Sequence, residues 1–180
     1  MKLYSILILE KKGEKQETKN DGYDLSHVSF FSRSTVREFI VFYSKTVAEH
    51  IQNSKICVTE KEYKMCAENK NNLTIVVTTD REYLDRAAFS IIDAVWREMN
   101  NNIDLNKMLE KYQDPCAADK IMKVQRDIDS AKLIMLDSVD KVLQRGQSLD
   151  QLISKSQDLS DSSKMFYQDT KKMNSCCVIA

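Results

Sequence analysis

The chain has 180 residues, which is enough for one globular domain and an extension, and its 27 basic and 27 acidic side chains give a formal net charge of zero. This balance disfavours nucleic-acid binding, because nucleic-acid-binding proteins carry a basic surface, and the scarcity of glycine and proline disfavours a turn-rich all-β fold. No stretch reaches the roughly 18 apolar residues that a transmembrane helix needs, and we recognise no signal peptide.

Five segments of the first 80 residues have the composition of β-strands. Residues 3–9 form a continuous apolar run, which predicts a central strand buried on both faces. A turn and the polar residues 15–19 follow, and their polarity predicts an edge strand. Three further strands are predicted at residues 55–59, 63–67 and 73–78, the last from its β-branched content.

Two helices are predicted, each opening on a capping box in which a threonine is followed three residues later by a glutamate. The first begins with Thr35 and Glu38 and runs to about Gln52, and the second begins with Thr79 and Glu82. Each carries one apolar face: Val36, Phe39, Ile40, Tyr43, Val47 and Ile51 with Phe42 beside them, then Leu84, Ala87, Ala88, Ile91, Ile92, Val95 and Met99. The element order predicts an α+β fold, with a five-stranded antiparallel sheet and helices packed on its faces.

The sequence offers no recognisable enzyme site. It has no phosphate-binding P-loop, His27 and His50 are isolated, and the acidic residues are scattered over solvent-facing helical positions. The five cysteines lack the paired spacing of a zinc site, so we expect no metal and no cofactor; they are Cys57, Cys66, Cys116, Cys176 and Cys177. The first three are expected to be reduced and structural, as is usual in the cytosol.

The C-terminal third carries the most regular pattern, a seam of positions in strict steps of three and four residues. These steps average about 3.5 residues, the period of a left-handed coiled coil. Arg145 interrupts the seam, and its guanidinium needs oxygen acceptors there unless it snorkels to the rim, as in an ordinary amphipathic helix. The other positions are Ile121, Val124, Ile128, Ala131, Met135, Ser138, Val142, Leu149, Leu152, Ser156, Leu159, Ser163, Phe166, Thr170 and Met173.

Residues 140–149 read Asp-Lys-Val-Leu-Gln-Arg-Gly-Gln-Ser-Leu, and this run resembles the centre of the R-SNARE motif of synaptobrevin-type proteins. The resemblance implies that Arg145 meets three glutamines, one from each of three partner helices, in an ionic layer sealed by apolar layers. It also implies that the other seam positions are the layer residues of a four-helix bundle formed with Q-SNARE proteins. A C-terminal SNARE coiled-coil helix is therefore expected within residues 117–175.

The N-terminal part resembles the longin domain, a profilin-like α+β fold. The likeness lies in the opening Met-Lys-Leu-Tyr-Ser, in Phe30-Phe31-x-Arg33-Ser34, in Val36-x-Glu38-Phe39 and in Arg86-x-Ala88-Phe89. We expect a longin domain at residues 1–110, a linker at 111–116, the R-SNARE motif at 117–175 and a tail at 176–180. The resemblance places Phe42 in the apolar groove that receives the SNARE helix or a lipid, whereas its sequence pattern fits an ordinary core residue equally well.

The tail Cys176-Cys177-Val178-Ile179-Ala180 fits a prenylation box, with Cys177 as the farnesylated residue. One lipid gives only marginal membrane binding, so a second lipid is expected on Cys176. The resemblance to prenylated longin R-SNAREs implies that this lipid is a palmitoyl or a second prenyl group. We expect a peripheral, lipid-anchored protein of the cytosol and of the cytoplasmic face of ER, Golgi and endosomal or vacuolar membranes.

Together the resemblances imply an R-SNARE that mediates vesicle fusion in ER–Golgi, intra-Golgi and endosomal or vacuolar transport. They also imply autoinhibition through an intramolecular contact between the longin domain and the SNARE segment. The competing hypothesis is a prenylated longin-domain adaptor, or a coiled-coil regulatory protein, that takes no part in fusion. The oligomer formed by residues 115–173 separates the two, because a homodimer favours the adaptor and a four-helix complex with Q-SNAREs favours fusion.

Overall fold

The computed structural model describes residues 1–13, 15–99, 103–114, 133–144 and 146–175, with the backbone alone for 173–175. A six-stranded sheet lies at its centre, with the strand order β2-β1-β5-β4-β3-β6. The strands are β1 Leu3–Lys12, β2 Lys15–Tyr23, β3 Lys55–Glu60, β4 Tyr63–Lys70, β5 Leu73–Asp80 and β6 Leu133–Leu136. Within the described residues the α-helices are α1 Arg33–His50, α2 Asp85–Glu98, α3 Leu105–Tyr112, α4 Leu149–Lys155 and α5 Asp161–Ser175, with short 3₁₀ helices at Phe30–Ser32 and Val139–Lys141.

The five predicted strands are present, and the fold belongs to the expected α+β class. β1 pairs antiparallel with β2 on one side and β5 on the other, which explains why its sequence is apolar throughout. β2 is an edge strand, as its polar sequence predicts. The predicted number of five strands is too small by one, because β6 joins the outer edge of β3 in the parallel orientation. This sixth strand comes from the segment for which the sequence predicts a coiled coil.

Both predicted apolar helix faces pack against the cores, with their central residues buried, but both predicted capping boxes are wrong. α1 begins at Arg33 with Ser32 as its N-cap, so Thr35 lies inside the helix. α2 begins at Asp85, and Thr79 is still part of β5. Because β5 stays paired with β4 as far as Asp80, strand pairing and tertiary packing set the start of α2 more than a local capping motif does.

The helices divide the interior into two cores, one on each face of the sheet. α1 contributes to the first, which we call the α1-side core and which includes Leu7, Leu9, Val58 and Val76. α2 and α3 contribute to the second, which includes Ile6, Ile8, Ile75 and Val77. Successive residues of β1 therefore enter opposite cores, because side chains alternate between the faces of a strand.

α3 extends the N-terminal domain past residue 110, the predicted end of that domain. It packs so closely on β2 that a Cβ at Gly22 would lie 2.9 Å from the Cβ of Leu105. Just after the helix, the Gln113 side chain accepts from the N–H of Leu3 at 3.2 Å and donates to the Leu3 carbonyl at 2.7 Å. The first part of the predicted linker therefore belongs to the folded domain.

Cys57 of β3 and Cys66 of β4 lie directly opposite each other and are joined by a disulfide. Our expectation of reduced thiols is wrong for this pair, and Cys116 lies outside the described residues. The sequence alone gives no indication of the bond, because only the register of the β3–β4 pair brings the two side chains together.

The C-terminal segment, which we define as residues 133–175, is not the single helix that the seam predicts. Its described residues form β6, a 3₁₀ helix, α4 and α5 in succession. Ser148 caps the start of α4 with its hydroxyl, and the extended backbone of Ser156 ends that helix. In a single chain the seam has no partner helices to cover its apolar stripe, so the segment breaks into short elements that pack on the N-terminal domain.

Candidate functional site

The site is a docking surface for the C-terminal segment, and its first part is the outer edge of β3. β6 pairs with this edge in parallel, placing Ile56 opposite Ile134 and Val58 opposite Leu136. These four side chains belong to the α1-side core, whereas Met135 points to the other face and is 62% exposed. Main-chain hydrogen bonding to a sheet edge, with alternate side chains buried, is a common mode of peptide docking.

Apolar side chains of α4 and of the turn after it provide the second part of the docking surface. Leu149, Ile153 and Leu159 are buried in the α1-side core, which also contains Phe42. Burial of one such aliphatic side chain stabilises the docked segment by about 1.5–3 kcal/mol. Phe42 is 6% exposed and therefore lies in the cluster that receives the segment; its role as a groove residue remains a prediction.

Polar contacts fix the position of the segment along α1 and β3. The backbone N–H of the fully buried Val139 donates to Glu60 Oε2 at 3.0 Å. Lys45 Nζ of α1 lies 2.8 Å from Asp158 Oδ1, but this ion pair is partly exposed and contributes only about 0–1 kcal/mol. Apolar burial therefore provides most of the docking energy, and the polar contacts determine the register.

Glu38 of α1 holds the start of α5. The backbone N–H of Ser160 donates to Glu38 Oε2 at 2.8 Å, and the Ser160 hydroxyl accepts from the backbone N–H of Ser163 at 3.3 Å. Burial opposes ionisation of the carboxyl group, but hydrogen bonds from Ser160 and Ser163 outweigh it and lower the pKa of Glu38. Ser163 itself is only 1% exposed. An ionised carboxylate is thus part of the docked arrangement.

Tyr167 of α5 contacts both α1 and α4. The Tyr167 ring lies 6.1 Å from the ring of Phe39, measured between centroids, and its hydroxyl donates to Asp150 Oδ1 at 3.0 Å. Lys171, one turn further along α5, forms an ion pair with the same carboxylate. Burial, together with the bond to Asp150, raises the pKa of Tyr167, so the phenol keeps its proton as a donor at neutral pH.

The predicted layer positions divide into covered and uncovered groups. Leu149, Leu159 and Ser163 are buried. Ser138, Val142, Leu152, Ser156 and Thr170 are half-buried. Met135 and Phe166 are 62% and 51% exposed. The layer positions from Leu149 to Ser163 are therefore wholly or partly covered, while Met135 and Phe166 face outward.

Several predicted site residues lie outside the described part of the chain. These are Ile121, Val124, Ile128, Ala131, Arg145, Cys176 and Cys177, together with the side chain of Met173. The ionic-layer role of Arg145 and the lipids on the two tail cysteines therefore remain predictions.

Sequence reasoning missed the docking residues that lie off the seam. Val139, Ile153 and Tyr167 are examples, and so is His50, whose Nε2 lies 3.2 Å from Gln147 Oε1. A signal was present, because Ile134, Leu136, Val139, Leu143 and Ile153 are apolar at positions that a coiled coil would leave outside its seam. Apolar residues off the seam indicate a second binding face on the same segment.

One group of metal-ligand residue types occurs among the described residues: Cys57, Cys66 and Asp85, with their ligand atoms within 4.8 Å of one another. The two sulfurs are bonded to each other, so in this form they are not available as thiolate ligands. In the same parts of the chain, no helix combines the length and apolar character that a bilayer crossing requires.

Two family models match the chain, one described as a regulated-SNARE-like (longin) domain over residues 25–122 and one described as synaptobrevin over residues 120–179. The VAMP-like protein YKT61 of Arabidopsis thaliana is 39% identical, over 99% of this chain and 100% of the relative. The synaptobrevin homologs YKT6 of Debaryomyces hansenii and Saccharomyces cerevisiae are 38% and 35% identical, with the same coverage. The similarity therefore spans both parts of the chain.

Proposed function

Because this chain belongs to the synaptobrevin-type R-SNAREs that carry a longin domain, we propose that it drives vesicle fusion in ER–Golgi, intra-Golgi and endosomal or vacuolar transport. SNARE proteins are not enzymes. In this proposal three Q-SNARE helices cover the seam, and Arg145 meets a glutamine from each of them in a layer sealed from water. Assembly of the bundle supplies the free energy that draws the two membranes together.

The proposal includes an autoinhibited closed state in which the longin domain holds the C-terminal segment. One observation carries it: the layer positions Leu149, Leu159 and Ser163 are buried against the longin domain. The same side chains must face the centre of a four-helix bundle, so docking and bundle assembly exclude each other. Partner helices bind only the open form in this proposal. Their binding therefore shifts the population from the closed form to the open form.

Membrane attachment in this proposal depends on the tail. Cys177 carries a farnesyl group and Cys176 a palmitoyl or second prenyl group, because one chain alone gives only marginal binding. The protein would then exchange between the cytosol and the cytoplasmic face of its target membranes. The closed state would shelter a lipid in an apolar groove of the longin domain while the protein is in the cytosol.

The decisive experiment mixes the full chain with candidate Q-SNARE helices and tests for an SDS-resistant complex containing one copy of each helix. Leu152→Asp, at a layer position, should block the complex. Gln151→Asp, at the exposed neighbouring position, is the matched control and should assemble normally. A homodimer that ignores Q-SNAREs would instead support the adaptor hypothesis and overturn the fusion role.

Autoinhibition is tested in the same mixture by comparing assembly rates. A fragment of residues 115–175 lacks most of the longin domain and should assemble at least tenfold faster than the full chain. Equal rates would leave the SNARE function standing and would rule out the closed state as an inhibitor.

A further inference from the structure

We infer that Cys57 and Cys66 form a reversible dithiol–disulfide site that couples the oxidation state of the chain to docking of its C-terminal segment; this inference rests on the closed state proposed above. The two cysteines lie opposite each other on β3 and β4, with Cα atoms 4.2 Å apart. Their exposures of 2% and 0% place them inside the sheet rather than on a loop. A bond here joins the strand that receives the segment to the rest of the sheet.

The position of Cys57 in its strand connects the bond to docking. Cys57 is opposite Cys66 on one side and opposite Met135 of β6 on the other. Directly opposed residues on neighbouring strands present their side chains on the same face of a sheet. Met135 therefore lies beside Cys57, on the side that becomes the open edge of β3 once β6 leaves. In this proposal a thiol reagent reaches the buried pair when β6 leaves that edge, so docking and thiol exchange influence each other.

Both cysteines belong to the apolar core that α2 and α3 cover, and one ion pair borders their sulfurs. A carboxylate oxygen of Asp85 lies within 4.8 Å of both sulfurs. Lys64 Nζ lies 2.5 Å from Asp85 Oδ1, and this ammonium also donates to the carbonyls of Arg81 and Tyr83. An ammonium near a cysteine pair favours the thiolate, which is the species that attacks a disulfide. The Lys64–Asp85 pair is therefore the charged group that borders the two sulfurs.

The reaction is thiol–disulfide exchange with a small disulfide of the glutathione class. The Cys57 thiolate attacks one sulfur of the oxidised glutathione, forms a mixed disulfide and releases one glutathione thiolate. The Cys66 thiolate then attacks the Cys57 sulfur, forms the Cys57–Cys66 bond and releases the second glutathione. The protein loses two electrons, oxidised glutathione gains them, and the two protons of the cysteine thiols pass to the released thiolates.

Oxidation favours the closed state, because a covalent link holds the edge strand against β4. The paired part of β3 and β6 is only four residues long and includes Cys57, so local opening of β3 also undoes the docking ladder. The link closes a short loop of the β3–β4 hairpin, with a sequence separation of nine, and short loops give the smallest stabilisation. We therefore expect oxidation to stabilise the pairing of β6 with β3 modestly and locally, without a change in fold.

The test uses the full unlipidated chain, equilibrated in glutathione buffers that range from fully reduced to fully oxidised. After trypsin cleavage, oxidised samples should contain a disulfide-linked pair of peptides covering residues 56–61 and 65–70. Amide hydrogen exchange at residues 133–136 should be at least threefold slower in the oxidised form. Cys57→Ser and Cys66→Ser should each abolish this difference in exchange rate, whereas the control Cys116→Ser should keep it. Two serine variants are used so that misfolding of one of them leaves the other as a test.

Absence of the linked peptides at every glutathione ratio would overturn the site. Linked peptides together with equal, strong protection of residues 133–136 in both forms would overturn the coupling alone. Linked peptides with no protection of residues 133–136 in either form would overturn the closed state itself, and the coupling with it. The three results distinguish failure of this inference from failure of the proposed autoinhibition.

Discussion

The backbone N–H of Ser160 donates to the carboxylate of Glu38 at 2.8 Å, so one acidic side chain of the longin domain holds the start of α5. This docked arrangement lowers the pKa of Glu38 below its ordinary value of 4.5. The ionised carboxylate therefore stabilises docking above that ordinary pKa, and its contribution is lost as the pH falls through the lowered pKa of the closed state.

The first prediction is a loss of α5 docking in acid that depends on Glu38. Hydrogen exchange at residues 160–172, corrected for the intrinsic effect of pH, should accelerate as the pH drops below about 4.5. Glu38→Gln keeps the shape of the side chain but does not titrate, so it should show weaker docking at pH 7 and a flatter pH response. An identical pH response in Glu38→Gln and wild type would contradict the assigned role.

The second prediction is that Phe42→Glu opens the closed state. A charge at this buried position, in the cluster with Leu149 and Leu159, has no partner to offset its desolvation. Exchange at residues 133–172 should become at least tenfold faster, while exchange in β1 and β5 should stay slow. Phe31→Glu is the matched control, because Phe31 is 90% exposed and should leave the segment protected. Unchanged protection in Phe42→Glu would rule out this surface as the docking site.

The third prediction concerns phosphorylation of the seam serines Ser156 and Ser163. A phosphate adds about −1.5 to −2 charge at pH 7, and at the buried Ser163, whose side chain hydrogen-bonds to Glu38, it would lie close to that carboxylate. Phosphorylation of Ser163, or its mimic Ser163→Asp, should therefore open the closed state and also slow bundle assembly. Ser162→Asp, at the exposed neighbouring position, should do neither. If Ser163→Asp and Ser162→Asp showed the same hydrogen-exchange rates and the same assembly rates, a charge at the seam would not control docking.

The fourth prediction concerns Arg145. Charge-assisted hydrogen bonds to three glutamines in a sealed layer determine register more than they add stability. Arg145→Gln should still assemble, but with a poorly defined register and a reduced rate of vesicle fusion. Placing one arginine at the matching layer of a partner helix should restore the rate. Wild-type fusion by Arg145→Gln with unchanged partners would show that the ionic layer is assigned to the wrong residue.

The fifth prediction concerns the tail. Cys177→Ser removes the prenylation site and should leave the protein entirely in the cytosolic fraction. Cys176→Ser keeps one lipid and should give weak, transient membrane binding, since a single acyl chain has a binding constant on the order of 10⁴ M⁻¹. Fractionation of cells expressing each variant decides between these outcomes. Membrane retention of Cys177→Ser at the wild-type level would exclude this mode of anchoring.

The N-terminal fold could be predicted closely because its signals are local. The apolar run of β1 and the apolar faces of α1 and α2 follow from residue period, and each has one environment in the folded domain. The capping box at Thr79 is wrong because the pairing of β5 with β4 continues to Asp80. The one at Thr35 is wrong because α1 already begins at Arg33, directly after the 3₁₀ helix. The Cys57–Cys66 bond was invisible for a related reason, since strand register is a property of two segments and not of either one.

For the C-terminal segment, the sequence by itself determined which residues are apolar and their spacing of three and four, and hence the capacity to form a bundle. It did not determine which surface covers that seam in a single chain. Leu149 and Leu159 can be buried in a bundle or against α1, and both burials stabilise the segment by similar amounts per side chain. Only the tertiary structure shows that the longin domain covers the seam in a single chain. The open edge of β3, the apolar surroundings of Phe42 and the Glu38 carboxylate all lie within the same chain, so this burial needs no partner helices.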